Sequence, residues 1–196
     1  MWYKEIYDDS GNSIGTTMTT EYSEASEYLC DDPTPKLYGG FGTSFSFHGV
    51  DISASFTYSL GGLTYDSGYA SYMNPPGGSV GSNIHKDALK AWTPENKNSD
   101  IPRFVYQDQN ISASSDRFLV PASYLNFQNA QVGYTIPSSV TSKIKVDKIR
   151  VYATCDNIVY WSRRHGFDPR TSFSGGTSYE GNSPVRTISF GLNLMF

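Results

Sequence analysis

The sequence predicts an all-β fold whose strands form part of an antiparallel transmembrane β-barrel with long connecting loops. Three observations predict it: apolar and polar residues alternate with period two, short connections alternate with long ones, and the composition is rich in aromatic residues. Aromatic residues make up 15% of the 196 residues, charged residues only 17%, and the formal net charge is −4. No basic patch indicates a nucleic-acid partner, and no apolar run reaches the roughly 18 residues that a transmembrane helix needs.

The clearest alternation lies in two neighbouring segments, predicted as strands at about 37–48 and 51–60. Successive side chains of a strand point to opposite faces, so each of these strands has one apolar and one polar face. In the second strand the apolar set is Ile52, Ala54, Phe56, Tyr58 and Leu60, and the polar set is Ser53, Ser55, Thr57 and Ser59. The residues between the two strands, His48–Asp51, predict a tight hairpin turn.

Three further strands are predicted at about 117–135, 146–157 and 187–196. In the first of them the apolar residues change parity, and a β-bulge near Gln128–Asn129 would restore a single apolar face. Pro121 weakens the start of that strand, because proline donates no hydrogen bond to a neighbouring strand.

The connections between these strands alternate in length. Those at 48–51 and 137–145 are short, whereas those at 61–116 and 158–185 are long. Compact soluble domains rarely carry two loops beyond about 12–15 residues, whereas transmembrane barrels join short periplasmic turns to long outer loops. The asymmetry favours a barrel over the alternative, a secreted soluble β-sandwich that binds carbohydrate.

Residues 1–36 are interpreted as an extracellular loop region, and residues 37–196 as the strands and loops of the barrel. Five strands cannot close a barrel, and an open edge in lipid leaves backbone polar groups unsatisfied. Further strands and an export signal are therefore expected upstream, in a longer protein.

No catalytic motif emerges from the sequence. It lacks a Gly-x-Ser-x-Gly motif and a phosphate loop, so neither an enzyme nor a cofactor is predicted. An outer-membrane barrel enzyme such as a lipase or protease stays as an alternative that would need a nucleophile with its base. His85 and Asp87 lie on a predicted helical segment without a third ligand at a suitable spacing, which argues against a metal site. Cys30 and Cys155 are either unpaired thiols or a disulfide.

Several motifs occur in an order that resembles a known family. The segments AWTPEN…SDIPR, SSDRFLVPASYLNFQNAQVGYTIP, RVYATCDNIVYWSRRHGFDPR and the final TISFGLNLMF closely resemble SusC/RagA-like TonB-dependent transporters of the Gram-negative outer membrane. The resemblance implies the last strands of a barrel of roughly 22 strands, whose plug domain and TonB box lie outside this sequence. It also implies a SusD-like surface lipoprotein, the TonB complex and outer-membrane lipid as partners, and oligosaccharide or peptide as cargo.

Three groups of residues are candidates for function. Aromatic side chains of the first long loop would suit sugar stacking or loop packing: Tyr65, Tyr69, Tyr72 and Trp92. Residues of the second long loop would contact cargo or a partner, or hold the loop by salt bridges: Arg163, Arg164, His165, Asp168 and Arg170. Apolar residues of the last strand, ending in an aromatic residue, are expected to act as an assembly signal for the barrel: Phe190, Leu192, Leu194 and Phe196.

Overall fold

The computed structural model describes residues 1–73, 83–105, 113–164, 166–171 and 183–196. They form two compact units. The first unit contains Met1–Asp31 and Tyr65–Leu119, and the second contains Asp32–Thr64 and Val120–Phe196.

The second unit is built on one five-stranded antiparallel sheet, the main sheet. Its strands are β3 (Leu37–Phe47), β4 (Val50–Leu60), β7 (Tyr124–Thr135), β8 (Lys148–Ser162) and β9 (Thr187–Met195). They lie side by side in the order β3-β4-β7-β8-β9. The link between β7 and β8 is a helical turn, α2 (Ser138–Thr141), continued by a 3-10 turn at Ser142–Ile144. A further 3-10 turn at Pro169–Thr171 follows β8.

The first unit begins with an antiparallel hairpin of β1 (Trp2–Tyr7) and β2 (Ser13–Thr19), within the stretch that the sequence had suggested as loop. It also contains the short helix α1 (Ser67–Tyr72) and 3-10 turns at Tyr22–Glu24, Lys86–Lys90 and Asp116–Phe118. Its small core consists of Ala70, Met73 and Phe118. Two short strands, β5 (Leu63–Tyr65) and β6 (Leu119–Pro121), pair with each other.

The turn between β3 and β4 is a two-residue hairpin loop formed by His48 and Gly49. Both residues have positive φ angles, 47° and 85°, as the twist of a tight β-hairpin requires. A Cβ on Gly49 would lie 2.7 Å from the carbonyl oxygen of Thr135, so a side chain does not fit there. The hairpin pairs β3 with β4 without a register shift along its whole length.

The bulge expected in β7 is present at Gln128. Ser55 of β4 pairs with Asn129 and Phe56 pairs with Phe127, so Gln128 is the extra residue of the bulge and has no partner on β4. The strand itself starts at Tyr124 rather than near 117. The preceding residues leave the main sheet because Pro121 has no N–H to donate, and the N–H of Ala122 donates instead to the carbonyl of Gly62 at 3.0 Å.

β8 continues to Ser162, five residues beyond the predicted end at 157. Opposite the bulge of β7, the pairing passes from Asp156 to Val159, and Asn157 adopts a left-handed backbone with φ 52°. The apolar alternation is therefore interrupted at that point although the strand continues. The predicted strand ended at 157 because the period-two pattern of the sequence stops at this interruption.

The two faces of the main sheet differ in chemistry. The apolar face carries Phe41, Phe45, Phe47, Ile52, Ala54, Phe56, Phe127, Val132, Val151, Phe190, Leu192 and Leu194. The polar face carries Ser44, Asp51, Ser53, Ser55, Thr57, Ser59, Asn126, Asn129, Gln131, Arg150, Tyr152, Thr154 and Ser189. Three phenylalanines stack across neighbouring strands of the apolar face: the ring centroids of Phe41 and Phe56 lie 5.0 Å apart, and those of Phe56 and Phe127 lie 4.5 Å apart.

The burial of this sheet is the reverse of that in a soluble protein. On the apolar face, Phe45 is 63% exposed and Phe190 83% exposed, whereas Ser59 and Asn126 on the polar face are each 5% exposed. Among the described residues, none of the buried hydrophobic side chains belongs to the five strands. A contiguous exposed apolar surface of this kind marks contact with another molecule or with lipid.

None of the described helices is long and apolar enough to cross a membrane.

Deleting Gln128 should prevent the main sheet from forming. Without the bulge, Tyr124 and Asn126 would turn to the apolar face and Leu125 and Phe127 to the polar face, because the side-chain period is two. The measurement is the fraction of the intact protein that folds, as judged by resistance to urea. The matched variant Gln128→Ala keeps the residue count and should fold normally, and equal folding of the two variants would contradict this reading of the bulge.

Candidate functional site

The polar face presents mainly hydroxyl and amide groups, which satisfy one another across the strands. Asn126 Nδ2 donates to Thr57 Oγ1 at 3.3 Å, and Asn129 Nδ2 donates to Asp156 Oδ1 at 2.7 Å. Such a face can line a wet space or contact a polar partner, since hydroxyl and amide groups can form hydrogen bonds with water at little cost.

An ion pair crosses the polar face near the end of the sheet that carries the short turns. Arg150 on β8 reaches over β7 to Asp51 on β4, with distances of 3.0 Å from Nε to Oδ1 and 2.5 Å from Nη2 to Oδ2. Gly133 lies beneath the pair, and a Cβ there would come within 2.6 Å of both side chains. The guanidinium also lies 4.9 Å from the ring centroid of Tyr152. The pair fixes three strands relative to one another.

A second, more deeply buried ion pair anchors the loop that follows β8. Arg170 Nε donates to Asp168 Oδ1 at 2.8 Å and Nη2 donates to Oδ2 at 2.6 Å, with side chains only 11% and 6% exposed. Arg170 Nη1 donates to Asn126 Oδ1 at 2.7 Å, and its guanidinium lies 4.5 Å from the ring centroid of Tyr160. Ser183 Oγ donates to Asp168 Oδ2 at 2.6 Å. We call these five residues the loop anchor.

The loop anchor lowers the pKa of Asp168. Burial acts to raise it, but the hydrogen bonds from Arg170 and Ser183 outweigh burial, and the pKa lies below its ordinary value. The same contacts raise the pKa of Arg170. Both groups are therefore charged at neutral pH, and each is the counter-ion of the other.

The other candidates in this loop are placed differently. Arg163 is exposed, and the backbone carbonyl of Arg164 accepts from Ser162 Oγ at 3.0 Å. His165 lies outside the described residues. The structure thus brings Asp168 and Arg170 together as a structural contact, while Arg163 points to a surface.

The aromatic candidates of the first long loop are mostly packed. Tyr65 and Tyr69 lie against the core of the first unit, with ring centroids 5.9 and 6.1 Å from that of Phe118. Trp92 is half-buried, and its backbone N–H donates to the carbonyl of Ile101 at 2.8 Å. Tyr72 is 44% exposed. Packing therefore accounts for Tyr65 and Tyr69, and only Tyr72 of the four presents a largely accessible ring.

The segment around His85 forms a 3-10 turn instead of the expected helix from His85 to Trp92. His85 itself caps the turn, because its Nδ1 accepts from the backbone N–H of Asp87 at 3.1 Å. Lys90 Nζ lies 2.9 Å from Asp87 Oδ1 and lowers the pKa of that carboxyl. Within the described residues no group of three or more potential ligands could hold a metal ion. Cys30 and Cys155 are free thiols.

The residues expected as an assembly signal lie on the apolar face of β9 or directly after it. Phe190, Leu192 and Leu194 are 83%, 57% and 49% exposed, and Phe196 is 83% exposed. β9 is also an edge of the main sheet, with β8 as its partner on the other side. Their role in assembly stays a prediction.

A cavity in the first unit was missed by the sequence reasoning. It has a volume of about 930 Å³, and its walls include Trp2, Tyr3, Met18, Tyr22, Tyr28 and Arg117. The wall comes from two stretches that lie about ninety residues apart in the chain, at 1–30 and 102–117. The only local signal was the density of aromatic residues before Cys30, which the sequence analysis had treated as loop.

Loss of the Asp168 charge should loosen the loop at neutral pH. Asp168→Asn leaves Arg170 buried without a counter-ion, which costs roughly 3–5 kcal/mol. Protease cleavage within 163–171 should become faster, whereas the matched variant Arg163→Gln, on the exposed side of the same loop, should behave like the parent. Unchanged cleavage in Asp168→Asn would show that the anchor does not hold the loop.

The same contact fixes the pH dependence of the loop. Because the pKa of Asp168 is lower in the folded state than in the unfolded chain, its stabilising contribution is complete above about pH 4 and is lost as the pH falls through the folded value. Protection of 163–171 should therefore be constant between pH 5 and 8 and should decrease below pH 4. A decrease at pH 6 would point to a different titrating group.

Known proteins resemble this chain over nearly its whole length. TonB-dependent receptor P3 of Formosa agariphila is 28% identical over 186 residues, which cover 90% of this chain and 18% of that protein. TonB-dependent receptor P26 of the same organism is 25% identical over 201 residues, covering 98% of this chain and 19% of that protein. No family model matches the chain.

Solved structures that superpose on this chain are of the importer named RagAB. The RagAB peptide importer in its closed-closed state superposes with a TM-score of 0.71 at 26% identity, covering 96% of this chain and 20% of that chain. The RagAB peptide transporter superposes with a TM-score of 0.74 at 24% identity, covering 98% and 22%. The predicted antiparallel β fold class is confirmed. The chain spans about a fifth of the length of these relatives, and its sequence and fold are similar to those of SusC/RagA-like TonB-dependent transporters.

Proposed function

We propose that this chain forms part of the wall and outer loops of an importer in the Gram-negative outer membrane. The observation that carries the proposal is the reversed burial of the main sheet. Its apolar face is exposed and continuous, while its polar groups pair with one another. In a membrane, that apolar face meets acyl chains and the polar face lines the interior of a barrel.

The edges of the sheet support a larger barrel. Among the residues that the structure describes, β3 and β9 each have one partner strand, and an unpaired edge in lipid leaves N–H and C=O groups without partners. We therefore assign both edges to further strands of the same barrel, in line with the roughly 22 strands that the family resemblance implies.

The connections at the two ends of the strands support an assignment of which end faces the outside of the cell. The long connections leave from Leu60 and Ser162 at one end of the sheet, and the two-residue turn and the α2 link lie at the other end. Barrels of this class keep short turns in the periplasm and long loops outside. The long loops would then meet the cargo, an oligosaccharide or a peptide, together with a SusD-like surface lipoprotein. The TonB complex would act through parts of the protein that this sequence does not contain.

Arginine substitutions on adjacent residues test the orientation of the faces. Ala54 and Ser55 are neighbouring small residues in the middle of β4 that point to opposite faces. Ala54→Arg should destabilise the intact protein by about 2–4 kcal/mol, because it places a charge among acyl chains. Ser55→Arg should cost clearly less, because its side chain enters a wet interior.

Denaturant titration of the intact protein in lipid vesicles measures both variants, and Ala54→Leu serves as the control for size alone. If Ala54→Arg and Ser55→Arg are equally damaging, the assignment of the faces is wrong.

Cysteine labelling tests the sidedness in cells. In a protein freed of its native cysteines, Leu89→Cys and Val185→Cys should react with a membrane-impermeant maleimide on intact cells, since these residues are 89% and 75% exposed. Val140→Cys in the α2 link, 53% exposed at the opposite end of the sheet, should react only after the outer membrane is opened. The reverse pattern would invert the proposed topology.

A further inference from the structure

The chain that follows β8 folds back onto the polar face of the main sheet. The backbone N–H of Phe167 donates to the carbonyl of Arg164 at 3.4 Å. Gly166 has a positive φ of 83°, a conformation that glycine adopts without steric cost and that helps to reverse the chain. The carbonyl of Phe167 then accepts from the hydroxyl groups of Tyr160 at 3.4 Å and Ser162 at 3.3 Å, both on β8.

Residues 166–170, which we call the folded-back segment, contact three strands through the polar face. Tyr160 pairs with Asn126 in the ladder between β8 and β7, so the two side chains share that face. Arg170 Nη1 donates to Asn126 Oδ1 at 2.7 Å, and Asn126 Nδ2 donates in turn to Thr57 Oγ1 at 3.3 Å. The contacts of the folded-back segment therefore extend across β8, β7 and β4.

The folded-back segment is buried, and the returning part of the loop is tied to it. Phe167 is 8% exposed and Asp168 9% exposed, so neither offers its side chain for direct contact with cargo. Ser183 Oγ, which precedes β9, donates to Asp168 Oδ2 at 2.6 Å. Of the polar side chains in the five described strands, only Ser59 and Asn126 are buried, and both lie at the end of the sheet from which the long loops leave.

We infer that the folded-back segment narrows the outer opening of the barrel and limits the width of the cargo that can enter. The inference rests on the proposed function, in which the polar face lines the interior and the long loops lie outside. A layer of chain packed face to face on a sheet stands about 10 Å from it, and the segment occupies that part of the interior. Asp168 and Arg170 are positioning residues, because they hold the segment in place without touching the cargo.

The accessibility of a single cysteine on the polar face tests the inference. In the intact protein, freed of its native cysteines, Ser55→Cys lies one polar position deeper on β4 than the contact between Thr57 and Asn126. Intact cells are treated either with a small membrane-impermeant maleimide or with a maleimide attached to a long polyethylene glycol chain. The measured quantity is the reaction rate of the bulky reagent divided by that of the small one, because a general loss of stability speeds both reactions.

The bulky reagent should react slowly with the parent. Asp168→Asn should raise the rate ratio about tenfold or more, because Arg170 then loses its buried counter-ion and the segment is released. Ser183→Ala removes one hydrogen bond of the loop anchor and should raise the ratio by a smaller factor. Asp51→Asn breaks the ion pair at the other end of the same face and should leave the ratio at the parental value.

Two results would overturn the inference. A parental ratio in both Asp168→Asn and Ser183→Ala, in protein that keeps its resistance to urea, would show that the segment does not restrict the opening. An equal rise of the ratio in Asp51→Asn would show that any loosening of the wall admits the bulky reagent, and that the folded-back segment has no special role.

The arginine variants of β4 separate this inference from the proposed function. If Ala54→Arg is more damaging than Ser55→Arg while the rate ratio does not respond to the loop anchor, only the role of the folded-back segment is wrong. If the two arginine variants are equally damaging, the polar face does not line an interior, and the proposed function itself is contradicted.

Discussion

An apolar sheet face that no other layer covers within the described residues is the constraint on which the rest of the structure depends. In a soluble sandwich the phenylalanines of β3, β4 and β7 would be buried by a second sheet, and the serines and asparagines would face water. Here Phe41, Phe56 and Phe127 stack in a row on an exposed surface, while Asn126 is almost fully buried. Hydrophobic burial within the described residues does not hold this sheet together. Backbone ladders and polar contacts do, and under the proposed function lipid would supply the remaining apolar environment.

The bulge in β7 keeps each face chemically uniform, because it changes the parity of that strand at Gln128. β8 is irregular at the same level of the sheet, at Asn157–Ile158, but Cys155 and Val159 on either side of the irregularity keep the same parity. The irregular backbone of β8 is not left unsatisfied. Arg186 donates to the carbonyl of Ile158, and Asn157 Nδ2 donates to the carbonyl of Val185 at 3.2 Å. The chain returning into β9 is thus fixed at the place where the ladder of β8 is interrupted.

Local patterns in the sequence predict the sheet well and the contacts between distant segments poorly. Alternation locates β3, β4 and β9, and the change of parity reveals the bulge at Gln128, because period two is a property of adjacent residues. The continuation of β8 beyond 157 was missed, since the same analysis reads its bulge as an end. The pairing of Arg170 with Asn126 joins positions 44 residues apart, and no spacing rule indicates it. For the same reason Tyr65 and Tyr69 looked like accessible loop aromatics, and the aromatic residues before Cys30 did not reveal that they form a cavity with residues 102–117.

Gly133 illustrates how strictly the polar face limits sequence change. A methyl group at this position would overlap the pair formed by Asp51 and Arg150. Any larger residue in place of the glycine therefore requires one of the two charged side chains to move or to be replaced. A relative that keeps both charged residues should also keep the glycine, whereas a relative without the pair is free of that restriction.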